Sequence, residues 1–139
     1  AKGCFLVVRR VEELMTMDND PDTYAIIGAA IEVSKHMKIG LLESVYQKCL
    51  AREFNLRDIP YRQQPLLPVL YKDLEIDQGF RPDFIVMDAV VIEAKAVSQT
   101  APAHEAQILN YMRLSKLKKG LLINFHAFPF AEGIKRFSL

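Results

Sequence analysis

The chain has 139 residues, of which 50% are hydrophobic, and a formal net charge of +1. This length fits one compact domain with a single core, and the hydrophobic fraction argues against a disordered chain. No apolar run approaches the roughly 20 residues that span a bilayer, and we expect no signal peptide. Because the two cysteines, Cys4 and Cys49, are too few for a disulfide framework, we predict reduced thiols in a cytoplasmic protein without membrane segments.

The first half of the chain is predicted to be mainly helical. Residues 1–20 are read as a poorly defined N-terminal extension, in which residues 4–8 could form an edge strand. Apolar residues at three- and four-residue spacing predict helices at residues 22–36 and 41–54. Gly40 marks the end of the first of these helices.

After Pro60 the pattern indicates strands at residues 61–70, 74–80, 84–87 and 90–97. Pro65 and Pro68 place the first of these at a sheet edge or interrupt it. A third helix is predicted at residues 102–117, with Gly120 as part of its C-terminal signal, followed by strands at 120–125 and 134–137. The order of elements predicts a single α/β domain over residues 1–139, with a mixed central sheet flanked by helices.

The strand at residues 90–97 has two chemically different faces, because side chains alternate along a strand. Its even-numbered positions, from Val90 to Ala96, are wholly apolar. Glu93 and Lys95 share the other face with valines. An acid and a base in such surroundings are costly to bury unless they are paired or bind a metal.

The length of the preceding turn decides whether Asp83 joins them, since cross-strand partners lie on the same face. A two-residue turn would put Asp83 opposite Ala94, on the wrong face. A three-residue loop at residues 88–90 would put Asp83 opposite Lys95 and diagonal to Glu93. We predict this register, or a bulge equivalent to it.

In that register two carboxylates converge beside an ammonium group, an arrangement that suits Mg²⁺ or Mn²⁺. The backbone carbonyl of Ala94 would supply a further ligand. The metal would activate water, and Lys95 would orient that water or neutralise a phosphate. The alternative is a cross-strand salt bridge between Asp83 and Lys95 without a catalytic role, since such short motifs match often.

Three motifs in the right order support the first interpretation. Pro82-Asp83, followed after nine residues by Glu93-Ala94-Lys95, resembles the signature of the PD-(D/E)XK nuclease superfamily. Residues 40–46, Gly-Leu-Leu-Glu-Ser-Val-Tyr, are similar to the motif that names the GxxExxY family, a branch of that superfamily. Residues 107–111, from glutamine to tyrosine, resemble the Q-x-x-x-Y motif of exonuclease-like branches. The resemblance covers residues 22–137.

The resemblance implies a restriction-endonuclease-like core: a helix, a three-stranded antiparallel run, a helix and a further strand. It also implies a role for each matching residue. Asp83 and Glu93 would bind the metal, Lys95 would be the catalytic lysine, and Glu43 would ligate the metal or hold its water. Gln107 and Tyr111, one helical turn apart, would face the site together.

Each of these auxiliary residues also has a structural explanation. Glu43 could be a solvated acid at the positive end of its helix. Gln107 and Tyr111 could simply pack their helix on the sheet. Ala94 departs from the family pattern, in which a bulkier aliphatic residue is usual, but only its backbone is needed.

The sequence therefore predicts a Mg²⁺- or Mn²⁺-dependent nuclease acting on DNA or RNA. The alternative is a non-catalytic nucleic-acid-binding or regulatory module that keeps the nuclease fold, which the small size and modest charge would suit. A homodimer would be a natural way to enlarge the binding surface. The short basic runs, Lys116 to Lys119 and Lys135-Arg136, are predicted to be solvated surface or charge at the C-terminus of a helix.

Overall fold

The computed structural model describes residues 4–7 and 20–139. Its helices are α1 (Pro21–Met37), α2 (Glu43–Leu56) and α3 (Pro102–Ser115). Its strands are β1 (Cys4–Val7), β2 (Tyr61–Gln63), β3 (Leu67–Tyr71), β4 (Leu74–Phe80), β5 (Phe84–Val86), β6 (Val90–Lys95), β7 (Lys119–Asn124) and β8 (Ile134–Ser138). The predicted helices and strands are all present, with ends displaced by a few residues.

Six strands form one sheet in the order β1-β8-β7-β6-β5-β2. β6 and β7 run parallel, and α3 connects them, whereas the other neighbouring strands are antiparallel. The predicted mixed sheet flanked by helices is therefore confirmed. The edge strand predicted within residues 4–8 is also confirmed, because β1 pairs with β8.

The helices cover the two faces of this sheet, and β6 contributes to both cores. Val90, Ile92 and Ala94 are buried in the core that contains α1 and α2. Val91 is buried in the second core, against Met112 and other residues of α3. The predicted apolar face of β6 is confirmed, and Glu93 and Lys95 must lie on the α3 side.

The strand predicted at residues 61–70 is interrupted, as the two prolines suggested. It divides into β2, which joins the main sheet, and β3, which pairs with β4 in a separate two-stranded sheet. The antiparallel run that the resemblance implied is therefore made of β2, β5 and β6. The β3–β4 hairpin is inserted between β2 and β5 in the chain.

Gly120 does not serve as the C-terminal signal of α3, contrary to the prediction. The helix ends at Ser115, and Lys116 takes the left-handed conformation that ends it, with φ 60°. Gly120 is buried within β7, where a Cβ atom would lie 2.6 Å from Sδ of Met112. A larger residue at this position would force the Met112 side chain to move, so glycine fits the close approach of β7 and α3.

Gly40 and Tyr46 shape the loop that leads into α2. Gly40 has φ 107°, a conformation that side chains disfavour. The Tyr46 hydroxyl donates to the carbonyl oxygen of Lys38 and accepts a hydrogen bond from the N–H of Leu41 at 3.2 Å. The buried Tyr46 ring stacks on Phe125 with centroids 4.9 Å apart. These contacts hold the first turn of α2, which carries Glu43, against the sheet.

Part of the basic runs is ion-paired rather than solvated, contrary to the prediction. Asp20, the N-cap of α1, lies 3.0 Å from Nζ of Lys119 and 2.9 Å from Nη2 of Arg136. Lys135 pairs with Glu105 of α3 at 2.7 Å. These contacts are explained by topology, since β7 and β8 bring the basic residues beside the starts of α1 and α3.

Candidate metal and catalytic site

Asp83 lies directly before β5 and beside Glu93 of β6. Its backbone N–H donates to Oε1 of Glu93 at 2.9 Å, and its Oδ2 accepts a hydrogen bond from the N–H of Ala94 at 2.8 Å. The ladder pairs Phe84 with Ile92, so the same register aligns Asp83 with Glu93. Two carboxylates are thus held together where the pairing of β5 with β6 stops.

The connection between β5 and β6 has three residues, as predicted, but it lies at residues 87–89 rather than 88–90. Val90 is already in the strand, paired with Val86 and fully buried. Met87 and Asp88 take the turn instead, with φ 55° and 49°. The predicted pairing of Asp83 with Lys95 is therefore wrong. Val90 is buried and pairs with Val86, so it belongs to the strand and not to the loop. The odd register, which turns Asp83 toward the face of Glu93 and Lys95, is confirmed.

Lys95 is connected to α3 through a chain of polar contacts. Its Nζ lies 3.5 Å from Oε2 of Glu93 and donates to Oε1 of Gln107 at 3.3 Å. Nε2 of Gln107 in turn donates to the Tyr111 hydroxyl at 3.1 Å. The structure thus brings the predicted residues of α3 to the lysine, and the lysine pairs with Glu93 rather than with Asp83.

Glu43 and Gln47 approach Asp83 from α2. Nε2 of Gln47 donates to Oε2 of Glu43 at 3.5 Å, and the nearby Gln47 side chain lowers the pKa of the Asp83 carboxyl group. The negative charge of Glu43, in contrast, raises the pKa of the Asp83 carboxyl group. Gln47 was not predicted from the sequence. The available signal was its position four residues after Glu43, which puts both side chains on one helical face.

Burial makes the charged forms of the two carboxyl groups in this cluster costly. It raises the pKa of Asp83 to about 6, although the Ala94 N–H and the Lys95 ammonium oppose the rise. Burial, and then the charge of Asp83, raise the pKa of Glu93 to about 7. The Glu93 residue is only 3% exposed. Burial and the nearby Glu93 carboxyl also raise the pKa of Tyr111. One lysine does not offset the charges of the buried Glu93 and the half-buried Asp83.

These residues fit a divalent cation that prefers oxygen ligands. Asp83 and Glu93 supply two carboxylates that share one nearby positive charge, that of Lys95. Ala94 directs its N–H toward Asp83, and the N–H and C=O of a strand residue face the same neighbour. The register places Pro82 opposite Ala94, and proline has no N–H to donate to that carbonyl. The Ala94 carbonyl is therefore a suitable third oxygen.

Glu43 does not extend this set into a cluster of three carboxylates. Among the residues that the structure describes, no three His, Cys, Asp or Glu side chains gather closely enough to hold a metal ion by themselves. A cation bound here would therefore depend on the backbone oxygen and on water for its remaining ligands.

A family model described as the PD-(D/E)XK nuclease superfamily matches residues 20–137. The match covers most of the chain, which therefore belongs to this superfamily. Its nucleases generally use divalent metal ions and act on nucleic acids. Comparisons with curated proteins and with solved structures gave no match. None of the helices that the structure describes is long and apolar enough to cross a membrane.

If Asp83 ligates a cation, replacing Gln47 with alanine should weaken Mn²⁺ binding by about tenfold, the effect expected when a residue beside a metal ligand is removed. The reason is that the Gln47 side chain contacts Glu43 and favours the charged form of the Asp83 carboxyl group. Isothermal calorimetry would measure the dissociation constant, with Lys48→Ala, an exposed neighbour on α2, as the matched control. An unchanged affinity in Gln47→Ala would show that this contact does not position the carboxylate.

Proposed function

We propose that this protein is a Mg²⁺- or Mn²⁺-dependent nuclease of the GxxExxY branch, which hydrolyses phosphodiester bonds of DNA or RNA. The observation that carries the proposal is the meeting of the half-buried Asp83 and the buried Glu93 where the pairing of β5 with β6 stops, with the Lys95 ammonium 3.5 Å from Glu93. Titratable groups with strongly shifted pKa values, clustered around specific partners, are typical of functional sites.

A purely structural role explains this arrangement poorly. A salt bridge with Lys95 needs one carboxylate, and Glu93 already supplies it. The second carboxylate, on Asp83, adds repulsion, since its charge raises the pKa of Glu93. Buried charges that are left uncompensated cost stability. A bound cation would remove that cost, whereas a salt bridge with Lys95 alone does not remove it.

Each residue of the site would have a separate role in hydrolysis. Asp83, Glu93 and the carbonyl of Ala94 would hold the cation. When bound, a divalent cation supplies Lewis-acid activation of water and of the phosphate. Lys95 would neutralise charge that grows on the phosphate as the bond breaks. Gln107, held by Tyr111, accepts a hydrogen bond from Lys95 and so fixes the direction of the ammonium group.

The loop before α2 supports assignment to the GxxExxY branch. The positive φ of Gly40 explains why that position favours glycine, and the two hydrogen bonds of the Tyr46 hydroxyl explain the tyrosine. Both residues serve to hold the start of α2, from which Glu43 acts on Asp83. The three named positions of the motif thus have one shared purpose.

The proposal is tested by cleavage of DNA and RNA, single-stranded and duplex, in Mg²⁺, Mn²⁺ or EDTA. We expect cleavage that requires metal and falls by about 10²-fold or more in Asp83→Ala. Asp77→Ala, which removes an exposed acid of β4, is the matched control and should cleave like the wild type. Equal cleavage by the wild type and Asp83→Ala would overturn the proposal. Nucleic-acid binding without metal binding or cleavage would instead favour the non-catalytic module.

A further inference from the structure

A polar cleft of about 370 Å³ opens beside the proposed site. It lies where the parallel strands β6 and β7 end, the position at which open α/β sheets commonly bind ligands. Its wall carries hydroxyl, amide and carboxyl groups, the ammonium group of Lys135 and one aromatic ring. The residues that matter here are Ser98, Gln99, Thr100, Asn124, Phe128 and Glu132.

This cleft is joined to the proposed site through Asn124. In the parallel ladder Asn124 is the partner of Lys95. The Asn124 side chain donates to the carbonyl oxygen of Val97 at 2.8 Å and accepts a hydrogen bond from the Val97 N–H at 3.1 Å. The chain that leaves the lysine is therefore held along the wall of the cleft. A substrate whose phosphate lies at Lys95 would place an adjacent nucleotide here.

Phe128 lines this cleft and is 86% exposed. It also borders a second cavity of about 300 Å³, which Lys38 and Ile39 line. The segment is anchored by His126, whose Nε2 lies 2.8 Å from the carbonyl oxygen of Leu41. Single exposed apolar residues are common and need no explanation by themselves. This one lies between two cavities, beside the loop that carries Glu43 toward the site.

We propose that the cleft binds an unstacked nucleobase of the substrate, with the base lying on the Phe128 ring. This inference rests on the proposed nuclease function and narrows its substrate to single-stranded or locally opened nucleic acid. Aromatic rings bind bases of any sequence by stacking. Ser98, Gln99 and Thr100 can hydrogen-bond the base edges. The Glu132 carboxylate suits the amino group of a base, and the Lys135 ammonium that also lines the cleft is paired with Glu105.

The inference predicts a preference for single strands that depends on Phe128. Phe128→Ala should bind a short single-stranded DNA or RNA oligonucleotide about 5- to 100-fold more weakly, measured in EDTA so that nothing is cleaved. Its binding to a blunt-ended duplex of the same sequence should change little. Unchanged single-strand affinity in Phe128→Ala would overturn the inference.

A fluorescent variant reports the contact directly, because the chain contains no tryptophan. Phe128→Trp should lose fluorescence when the single strand is added and keep it with the duplex. Tyr24→Trp, at a 53% exposed position of α1, is the control and should respond to neither. Equal quenching of both variants, or equal quenching of Phe128→Trp by duplex and single strand, would contradict the inference.

The two proposals can fail separately. If the wild type and Phe128→Ala cleave and bind alike, the base-binding cleft is wrong while the nuclease function stands. If Phe128→Trp is quenched by single strands but the wild type cleaves nothing with any metal, the cleft stands and the nuclease proposal fails.

Discussion

Replacing Lys95 with alanine should lower the rate of metal-dependent cleavage by about 10²- to 10³-fold, the usual effect of removing one group that stabilises charge in a transition state. Binding of Mn²⁺ should not weaken, because the lysine is a neighbour of Glu93 and not a metal ligand. The nearby positive charge is lost, so affinity for the cation should stay equal or increase. Single-turnover cleavage and calorimetry on the same variant would measure the two quantities.

The matched control for this variant is Lys118→Ala, which removes an exposed lysine from the segment before β7. It should cleave at the wild-type rate. If Lys95→Ala cleaved normally, the lysine would be no more than the ion-pair partner of Glu93. If it lost both cleavage and metal binding, Lys95 would be holding the carboxylates in place rather than acting on the phosphate.

Replacing Glu93 with glutamine should make the metal-free protein more stable at alkaline pH. Folding raises the pKa of Glu93 from its usual 4.5 to about 7, so the folded state binds this proton more tightly than the unfolded state does. The free energy of unfolding of the wild type should therefore fall as pH rises through this interval and level off above it. Glutamine carries no charge, so the variant should gain about 1–3 kcal/mol over the wild type above pH ~7.

Urea denaturation in EDTA at several pH values would measure this difference, which should shrink toward the acidic end of the interval. Adding Mn²⁺ should reverse the order, since a cation that binds only the folded state stabilises the wild type and not the variant. Equal stability of both proteins across the interval would show that burial does not penalise the Glu93 charge. A variant that Mn²⁺ still stabilises fully would show that Glu93 is not a ligand.

The sequence predicted the fold well because its signals were local. Alternation along β6 separated Val90 and Ile92 from Glu93, and the structure buries them in the predicted way. The sheet face toward which Asp83 points depends only on whether the loop has an odd or an even number of residues, so it could be predicted. The exact position of the loop within residues 87–90 could not be predicted, because it depends on the burial of Val90 in the core.

The remaining differences come from long-range packing, which local patterns do not contain. Gly120 looked like a helix terminus, yet its small size serves the contact with Met112. Lys119 and Arg136 looked like surface charges, yet Asp20 lies far away in sequence and next to both in space. No spacing rule links such positions.

The grouping of side chains in the candidate site was predictable to a similar extent. Asp83, Glu93 and Lys95 belong to adjacent segments, so a strand pattern and one turn were enough to bring them together. The contact between Gln107 and Lys95 needed the crossover through α3, which the motif order only implied. Gln47 and the cleft at Phe128 were missed, because neither a glutamine on a helix nor a phenylalanine in a loop has a distinctive pattern.

The ion pairs around Asp20 and Glu105 affect how this protein would respond to ionic strength. Lys119, Lys135 and Arg136 already have carboxylate partners within the fold. Lysine and arginine side chains that are already paired with carboxylates displace few counterions when the protein binds a nucleic acid. The affinity for nucleic acid should therefore depend less steeply on salt than the number of lysines and arginines suggests, and recognition would draw more on contacts with bases.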